Sequence, residues 1–311
     1  MRALTFSTFG GPEVLEVKDL PSPNPPAGWV RIRVKAATVN PTDLGFRGGG
    51  QAAAASGLQP PYIPGMEFAG TVDAAGEGSP WKAGDKVMAI VVPRRPEGGA
   101  MAEEVIVPSR SVAPMPEGSS FEQAATLPMN GLTVRRALDL LALKPGDTLA
   151  VSGAAGAVGA YAVELGVADG LKVIAIASPA DEPLMKKMGA SAFVARGDDA
   201  IAKVREIAPG GVDGFIDAAL LGVPALAAIK DGGGMAVVRG WQAGTERDIT
   251  IHQVRVSDYV ENQEALAKLG KQVEEGKITL RVQETFPPER AAEAHNKMAA
   301  GGIRGRLVIT F

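Results

Sequence analysis

Hydrophobic and polar residues alternate with a period of two along the first third of the chain, which is typical of half-buried β-strands. Alternation or a short apolar run covers residues 1–9, 29–39, 67–73, 86–92 and 102–107. A proline-rich connector at 20–28 excludes a helix between the first two strands. Turn residues recur at short intervals, so we predict a β-rich, barrel-like domain for this part of the chain.

The pattern changes at Ser120, after which apolar strand-like runs alternate with helical segments. Helices are predicted at 121–127 and 131–141, then strands at 148–152, 171–177, 192–195, 213–217 and 234–239, with helices at 157–168, 181–188, 198–207 and 223–230 between them. This alternation favours a parallel, doubly wound sheet. A helix at 259–274, a strand at 278–283, a helix at 288–300 and a strand at 305–311 return the chain to the first domain.

These patterns predict the α/β fold class. A Rossmann-type doubly wound parallel sheet at 122–259 is inserted in a β-rich domain built from residues 1–121 and 260–311. For two domains arranged in this way, the cleft between them is the default expectation for an active site.

A glycine-rich turn follows the first strand of the predicted sheet, where the helix at 157–168 begins. Strand, glycine turn and helix are the context of a dinucleotide-binding fingerprint, because the turn brings N–H groups and a helix N-terminus to a pyrophosphate. Small-residue turns also join strands and helices where no ligand binds. We predict cofactor binding by Gly153, Ala155, Gly156, Ala157, Val158 and Gly159.

Composition narrows the functional class. The 311 residues carry a net charge of −3 and no basic block, which argues against nucleic acid or an anionic membrane as the main partner. The absence of cysteine excludes disulfides, thiol catalysis and cysteine-ligated metals. We find no apolar signal segment or membrane span in the sequence and therefore expect a cytoplasmic enzyme or binding protein.

Several stretches match one family in order and over the full length. They include Asn-Pro-Thr-Asp at 40–43 and Pro-Gly-Met-Glu at 64–67, together with residues 84–87, 98–105, 124–133, 291–295 and 305–308 and the glycine turn. The chain resembles the zinc-free quinone oxidoreductase branch of the medium-chain dehydrogenase/reductase superfamily. The resemblance implies an NAD(P)H-dependent reductase, usually a homodimer, with a GroES-like catalytic domain and a Rossmann cofactor domain.

The sequence departs from the zinc-dependent members of that superfamily. They carry a cysteine near position 40 and a histidine before the glutamate at 67, where this chain has Asn40 and Met66. Zinc needs three or four converging ligands. The only histidines are His252, beside strand residues, and His295, on a predicted surface helix, and both are expected to be structural or solvated. We therefore expect no metal ion.

The resemblance also implies roles for single residues. It places Asn40 near the nicotinamide, and Thr126 and Thr133 near its ribose and phosphates. Asn40 is alternatively a turn-capping residue, and Thr126 a helix residue bonded to its own backbone. Relatives carry a tyrosine in the loop after Asn40, where this chain has Phe46. Tyr62 is the nearest substitute as a catalytic proton donor, with core packing as its alternative.

Cofactor choice depends on the end of the second strand of the sheet, where an acidic residue favours NAD. That strand ends at Ser178, which accommodates a 2′-phosphate, and Arg196 follows the third strand with a guanidinium suited to phosphate. Asp181 argues in the opposite direction, and Lys186 and Lys187 are expected to face water. We predict NADPH, with NADH as the less favoured cofactor.

Four further candidates follow strands at the carboxyl edge of the predicted sheet. Ala218 begins an apolar turn that in the family lines the adenine ribose, with the start of an apolar helix as its alternative. Arg239 and Gly240 end the last predicted strand and are expected to face the nicotinamide. Trp241 either stacks in the pocket or packs at a dimer edge.

The predicted function is zinc-independent hydride delivery from NADPH to a quinone or α,β-unsaturated carbonyl. Such an acceptor spreads the developing negative charge itself, and we recognise no acid–base cluster that would activate a saturated ketone. Two alternatives remain open, a biosynthetic enoyl or cyclic-enone reductase and an NADPH-binding sensor or structural protein without useful turnover.

Overall fold

The computed structural model describes residues 1–311, which divide into two units. The first contains Met1–Met129, Val260–Glu274 and Leu280–Phe311, and the second contains Asn130–Tyr259 and Glu275–Thr279. The first unit runs beyond the predicted bound at residue 121, because the N–H of Met129 donates to the buried Glu67 carboxylate at 2.7 Å.

Fifteen strands and eight α-helices make up the two units. The strands are β1 (Arg2–Thr5), β2 (Glu16–Asp19), β3 (Trp29–Thr38), β4 (Glu67–Ala75), β5 (Lys86–Ile90), β6 (Glu104–Pro108), β7 (Val112–Pro114), β8 (Thr148–Ser152), β9 (Lys172–Ala177), β10 (Ala192–Ala195), β11 (Val212–Asp217), β12 (Ile229–Val237), β13 (Thr250–Gln253), β14 (Val282–Phe286) and β15 (Arg306–Thr310). The helices are α1 (Pro41–Arg47), α2 (Phe121–Ala124), α3 (Pro128–Leu141), α4 (Ala157–Ala168), α5 (Glu182–Lys187), α6 (Ala200–Ile207), α7 (Gln263–Glu274) and α8 (Ala291–Ala300).

A seven-stranded sheet forms the frame of the first unit. Its strands lie in the order β14-β15-β3-β4-β5-β7, and β6 also pairs with β3. All neighbours are antiparallel except β14 and β15. In β3, Val30, Ile32 and Val34 are buried while Arg33 and Lys35 are exposed, which is the alternation seen in the sequence. The β-rich fold predicted for this part of the chain is confirmed.

A six-stranded sheet forms the frame of the second unit, in the order β10-β9-β8-β11-β12-β13. All five pairs are parallel. The first strand, β8, lies inside the sheet, and the chain winds outward from it in both directions, so the sheet is doubly wound as predicted. Such a sheet binds ligands at the carboxyl ends of its strands, where the winding direction changes.

The structure corrects several predicted elements. Three short strands, β2, β7 and β13, were not predicted from the sequence. The predicted helix at 223–230 is a 3₁₀ turn over Val223–Ala228, and Ile229 already begins β12. The strand predicted at 234–239 begins earlier in the structure, since β12 starts at Ile229, which pairs with Val212 of β11, and gains β13 as its second partner from Gly234 onwards.

One helix and one strand predicted near the end of the chain also need correction. Helix α7 begins at Gln263 rather than at residue 259, because the side chain of Asn262 accepts the N–H of Ala265 at 3.0 Å and caps the helix there. The strand predicted at 278–283 lies at Val282–Phe286, in register with β15.

Helix α8 is not a surface helix around its histidine. It buries one face, formed by Ala291, Ala294 and His295, and His295 is only 1% exposed. The positions i, i+3 and i+4 form one stripe on a helix, so His295 follows the two alanines into the core. Separately, none of the helices is both long and apolar enough to cross a membrane.

Candidate functional site

The glycine turn lies between the central strand β8 and helix α4. Gly153 has a left-handed φ of +61°. A Cβ at Gly159 would lie 2.1 Å from the carbonyl oxygen of Gly153, a distance that no side chain tolerates. The helix therefore packs directly on the turn, and both positions require glycine for backbone reasons.

The first turn of α4 carries N–H groups that no side chain caps. Gly156 is the N-cap residue and provides no capping atom. The N–H groups of Ala157, Val158 and Gly159 belong to the helix end, where the helix dipole favours a negative charge. Ala155 is buried just before them, at 4% exposure. This cradle fits the pyrophosphate of a dinucleotide.

A second turn lies against the glycine turn, after β11 ends at Asp217. The Ser152 hydroxyl donates to Oδ1 of Asp217 at 2.6 Å, and its oxygen accepts the N–H of Ala219 at 3.0 Å. A Cβ on Gly153 would lie 3.3 Å from the carbonyl carbon of Ala218, so the two turns are in contact. The structure thus places Ala218 beside the predicted pyrophosphate cradle.

Ser178 and Arg196 come close together at the ends of β9 and β10. The N–H of Arg196 donates to the carbonyl of Ala177 at 2.7 Å, next to Ser178 in sequence. The Arg196 residue is exposed and makes no salt bridge, whereas Asp181 is buried at 8% exposure. The backbones of Ser178 and Arg196 are thus neighbours at this edge, and the Arg196 guanidinium carries no carboxylate partner.

Arg239 and Gly240 follow β12, and both are exposed. Trp241 comes next and is half-buried against the core of the same unit, which includes Met235 and Ile249. Its ring packs in part on the unit's own core, and the two predicted settings, in the pocket or at a dimer edge, stay predictions.

A buried polar network in the first unit surrounds Asn40. Asn40, Glu67 and Arg306 are 1%, 0% and 3% exposed. Nη2 of Arg306 donates to Oδ1 of Asn40 at 2.7 Å and to the Glu67 carboxylate. Nδ2 of Asn40 donates to Oε1 of Glu67 at 3.1 Å and to Oγ1 of Thr38 at 3.2 Å. Both amide protons of Asn40 are engaged, so it can offer a ligand only the remaining lone pair of Oδ1.

Asp43 fixes the backbone of Asn40 from the other side. Its carboxylate accepts the N–H of Asn40 at 2.8 Å and the N–H of Gly65 at 2.9 Å. Burial raises the pKa of Asp43 to about 7, against the lowering effect of these two N–H groups. The cap of this stretch is therefore supplied by the Asp43 carboxylate, while the Asn40 side chain makes no capping hydrogen bond.

Thr126 meets the same network through its backbone. Its carbonyl accepts from Nη1 of Arg306 at 3.4 Å, and its hydroxyl donates to the carbonyl of Gln123 at 2.7 Å. This hydrogen bond of the Thr126 hydroxyl agrees with the alternative interpretation of Thr126 as a helix residue bonded to its own backbone. Arg306 thus links Thr126 and Asn40, two of the predicted site residues.

Tyr62 lies in an aromatic cluster, and its one hydrogen bond is to the backbone of Leu58 rather than to this network. Its ring centroid is 5.3 Å from Phe6, 5.7 Å from Phe9 and 5.8 Å from Phe46. Its hydroxyl donates to the carbonyl of Leu58 at 3.4 Å, which is a long hydrogen bond. The ring of Tyr62 thus packs against other aromatic rings, as its core-packing alternative predicts, whereas its hydroxyl is held only by this long hydrogen bond.

Four polar residues of these arrangements were not predicted from the sequence as site residues: Ser152, Asp217, Glu67 and Arg306. A signal was present in each case. Arg306 precedes the apolar run Leu-Val-Ile, and Glu67 precedes Phe-Ala inside a buried strand. Ser152 and Asp217 end apolar strands. A charged or hydroxyl residue within an apolar strand marks a buried partner, although the sequence does not identify that partner.

The residues present do not fit a zinc ion. No group of three or more His, Asp or Glu side chains lies together in a way that could hold a metal ion. The chain has no cysteine, and His295 is buried without a hydrogen-bond partner at either ring nitrogen. A zinc site needs three or four converging ligands.

Two family models match the chain, and both describe dehydrogenase domains. The alcohol dehydrogenase GroES-like domain matches residues 26–117, and the zinc-binding dehydrogenase domain matches residues 188–309.

Curated relatives match over different lengths. The rat synaptic vesicle membrane protein VAT-1 homolog is 36% identical over 224 residues, covering 70% of this chain and 53% of that protein. The chain thus spans about half the length of that relative. Human quinone oxidoreductase is 30% identical over 329 residues, covering 99% of this chain and 97% of that protein.

Solved structures match over the whole chain. The quinone oxidoreductase from Coxiella burnetii has a TM-score of 0.85 and 30% identity, covering 100% of this chain and 99% of its own. A structure described as an NAD-dependent alcohol dehydrogenase has a TM-score of 0.88 and 30% identity, covering 100% of both chains.

Proposed function

The chain belongs to the medium-chain dehydrogenase/reductase superfamily, together with quinone oxidoreductases, and on this basis we propose that it is an NADPH-dependent reductase of quinones or α,β-unsaturated carbonyls. The observation that carries the proposal is the glycine cradle at the end of β8, where a Cβ on Gly159 would fill the space against Gly153. A bound nicotinamide would supply the hydride, and the protein binds and orients the reactants.

The edge formed by Ser178 and Arg196 supports NADPH over NADH. A 2′-phosphate needs a cationic fork or hydroxyl donors, and the Arg196 guanidinium has no carboxylate to neutralise it. Replacing Arg196 by alanine is expected to raise KM for NADPH about tenfold, since a charge-assisted hydrogen bond is lost, and to leave KM for NADH unchanged. Lys187→Ala removes an equal charge from the exposed face of α5 and serves as the matched control. Equal effects of both variants on NADPH would contradict this assignment.

The network around Asn40 supports chemistry without a metal ion. The Arg306 and Glu67 charges neutralise each other inside the unit, so the network offers no free electrophile to polarise a saturated carbonyl. It holds the amide of Asn40 in one orientation, with an acceptor lone pair on Oδ1. An acceptor that already carries a conjugated carbonyl or quinone ring disperses the incoming charge itself. Tyr62 is our candidate for completing the protonation, through its weakly held hydroxyl.

Cofactor oxidation with a small panel of acceptors tests the proposal. Consumption of NADPH and of NADH would be followed by absorbance with a benzoquinone, a conjugated alkenal, a cyclic enone, a saturated ketone and no acceptor. We expect turnover with the quinone or an enone, a preference for NADPH, and no change on adding a chelator. Tight NADPH binding without turnover on any acceptor would instead indicate a binding protein. Chelator-sensitive reduction of the saturated ketone would refute the metal-free reaction.

A homodimer is part of the proposal. Strand β13 is the outer strand of the parallel sheet and pairs only with β12, so its other edge carries unpaired backbone groups. A second copy of the chain would satisfy them by edge-to-edge pairing. Light scattering coupled to size-exclusion chromatography should give twice the 32.0 kDa mass of the chain. A mass equal to one chain across the concentration range would rule the dimer out.

A further inference from the structure

Ser152 and Asp217 form a closed polar pair at the carboxyl ends of neighbouring strands. They lie opposite each other in the register of β8 and β11. Both are buried, at 0% and 2% exposure, and the hydroxyl donates to the carboxylate at 2.6 Å. No cation pairs with Asp217, so its charge is stabilised by hydrogen-bond donors alone. A buried carboxylate is retained only where such donors compensate its desolvation.

The donors come from the turn that follows β11. Oδ1 of Asp217 accepts the N–H of Leu221 at 3.0 Å, and Oδ2 accepts the N–H of Gly222 at 2.9 Å. The Ser152 oxygen accepts the N–H of Ala219 at 3.0 Å. Three backbone groups of one turn are therefore tied to two side chains at the sheet edge. We call residues 218–222 the clamped turn.

The clamped turn has a conformation that its own sequence does not favour. Leu220 adopts a left-handed φ of +60°, which is uncommon for a residue with a branched side chain. Leu220 is 48% exposed and Leu221 is 36% exposed, so little packing holds them in place. The hydrogen bonds to Ser152 and Asp217 are the interactions that keep this turn in its observed shape.

The clamped turn also lies against the glycine turn. A Cβ on Gly153 would lie 3.2 Å from the nitrogen of Ala219 and 3.3 Å from its Cβ. A shift of the clamped turn would therefore narrow or open the space beside the cradle. Ser152 directly precedes Gly153, and Asp217 directly precedes the clamped turn. The Ser152–Asp217 hydrogen bond therefore connects the glycine turn and the clamped turn where both begin.

We propose that Ser152 and Asp217 are positioning residues for cofactor binding, which hold the clamped turn as a preformed apolar wall beside the glycine cradle. This inference rests on the proposed function, since it takes the nicotinamide cofactor to bind at that cradle. The pair acts through the backbone of residues 218–222 and does not itself take part in hydride transfer. A preformed wall improves affinity because binding need not order the turn.

Removing the Ser152 hydroxyl tests the proposal. Ser152→Ala is expected to weaken NADPH binding about tenfold, as expected for loss of an anchoring hydrogen bond, with kcat at saturating cofactor within about twofold of the wild type. Ser152→Thr keeps the hydroxyl and should restore the affinity. Asp217→Asn keeps the shape but turns an amide towards an N–H donor, and should weaken binding at least as much. Thr148→Ala, at the opposite end of β8, is the matched control and should bind as the wild type does.

Amide hydrogen exchange of residues 218–222 without cofactor provides a second measurement. Exchange there should accelerate in Ser152→Ala and Asp217→Asn, and remain unchanged in Ser152→Thr and Thr148→Ala. If exchange in Ser152→Ala and Asp217→Asn were faster but their NADPH affinity were unchanged, the positioning role would be overturned. Unchanged exchange in these two variants would overturn it as well. If the wild type binds neither NADPH nor NADH, the proposed function fails and the positioning role fails with it. If the wild type binds NADPH and the Ser152→Ala affinity is unchanged, only the present inference fails.

Discussion

His295 gives the sharpest test of the structure, through the dependence of stability on pH. The side chain is 1% exposed, and neither ring nitrogen has a hydrogen-bond partner. Burial, followed by the nearby charge of Arg47, lowers the pKa of His295 from 6.5 to about 3. The unfolded chain therefore takes up a proton at His295 between pH 6.5 and pH 3, and the folded protein does not. Because the unfolded state binds more protons in this window, the contribution of His295 to stability falls as the pH is lowered through it.

The magnitude follows from the two pKa values. Each pKa unit corresponds to about 1.4 kcal/mol, so at pH 5 the protonation of His295 in the unfolded chain lowers the free energy of unfolding by about 2 kcal/mol. The loss approaches about 5 kcal/mol near pH 3. Asp43 acts in the opposite direction. Burial raises its pKa to about 7, so the folded protein takes up a proton there before the unfolded chain does, and acidification stabilises the fold through Asp43.

A comparison of variants separates these two effects. We would measure urea unfolding of the wild type and His295→Leu at pH 7.5 and pH 5.0, following tryptophan fluorescence. Trp29 and Trp81 lie in the same unit as His295 and report its unfolding. Between the two pH values the wild type should lose about 2 kcal/mol relative to the variant, because the contribution of Asp43 is common to both. His252→Leu removes the other histidine, in the second unit, whose pKa burial also lowers, and we expect it to show a smaller pH-dependent difference than His295→Leu. If the free energies of unfolding of the wild type and His295→Leu differed by the same amount at both pH values, the conclusion that His295 is buried and neutral would be refuted.

Three further predictions concern the candidate site. Gly159→Ala should abolish cofactor binding, because its Cβ would lie 2.1 Å from the Gly153 carbonyl, whereas Gly210→Ala has nothing within 4 Å and should bind normally by titration calorimetry. Arg306→Met should destabilise the protein by about 3–5 kcal/mol in urea unfolding, since it leaves the Glu67 carboxylate buried without its cation. The double variant Glu67→Leu/Arg306→Met should recover most of that loss, and a double variant as unstable as Arg306→Met would contradict the account. Tyr62→Phe should lower kcat at least tenfold without changing KM for NADPH if its hydroxyl supplies the proton; an unchanged kcat would leave Tyr62 a packing residue only.

Local patterns were sufficient for the parts of the fold that depend on near neighbours in sequence. The apolar run of β8, the glycine turn and helix α4 follow one another within about twenty residues, and the structure gives the predicted bounds for both elements. The alternation of β3 predicted its buried face for the same reason. Local propensity was not sufficient for β12, which begins at Ile229 rather than at the predicted residue 234, because pairing with its sheet neighbours extends the strand through glycines that disfavour it.

The sequence by itself determined the fold class, the glycine turn and the absence of cysteine chemistry, since composition and short-range periodicity express these directly. Only the tertiary structure decided which polar groups meet. Arg306 reaches Asn40 across 266 positions of the chain, and Ser152 reaches Asp217 across 65. It also decided that His295 is buried, although its helix carries enough polar residues to suggest a surface position. Burial and hydrogen bonding depend on what packs opposite a residue, and that partner is set by the three-dimensional path of the chain rather than by its local order.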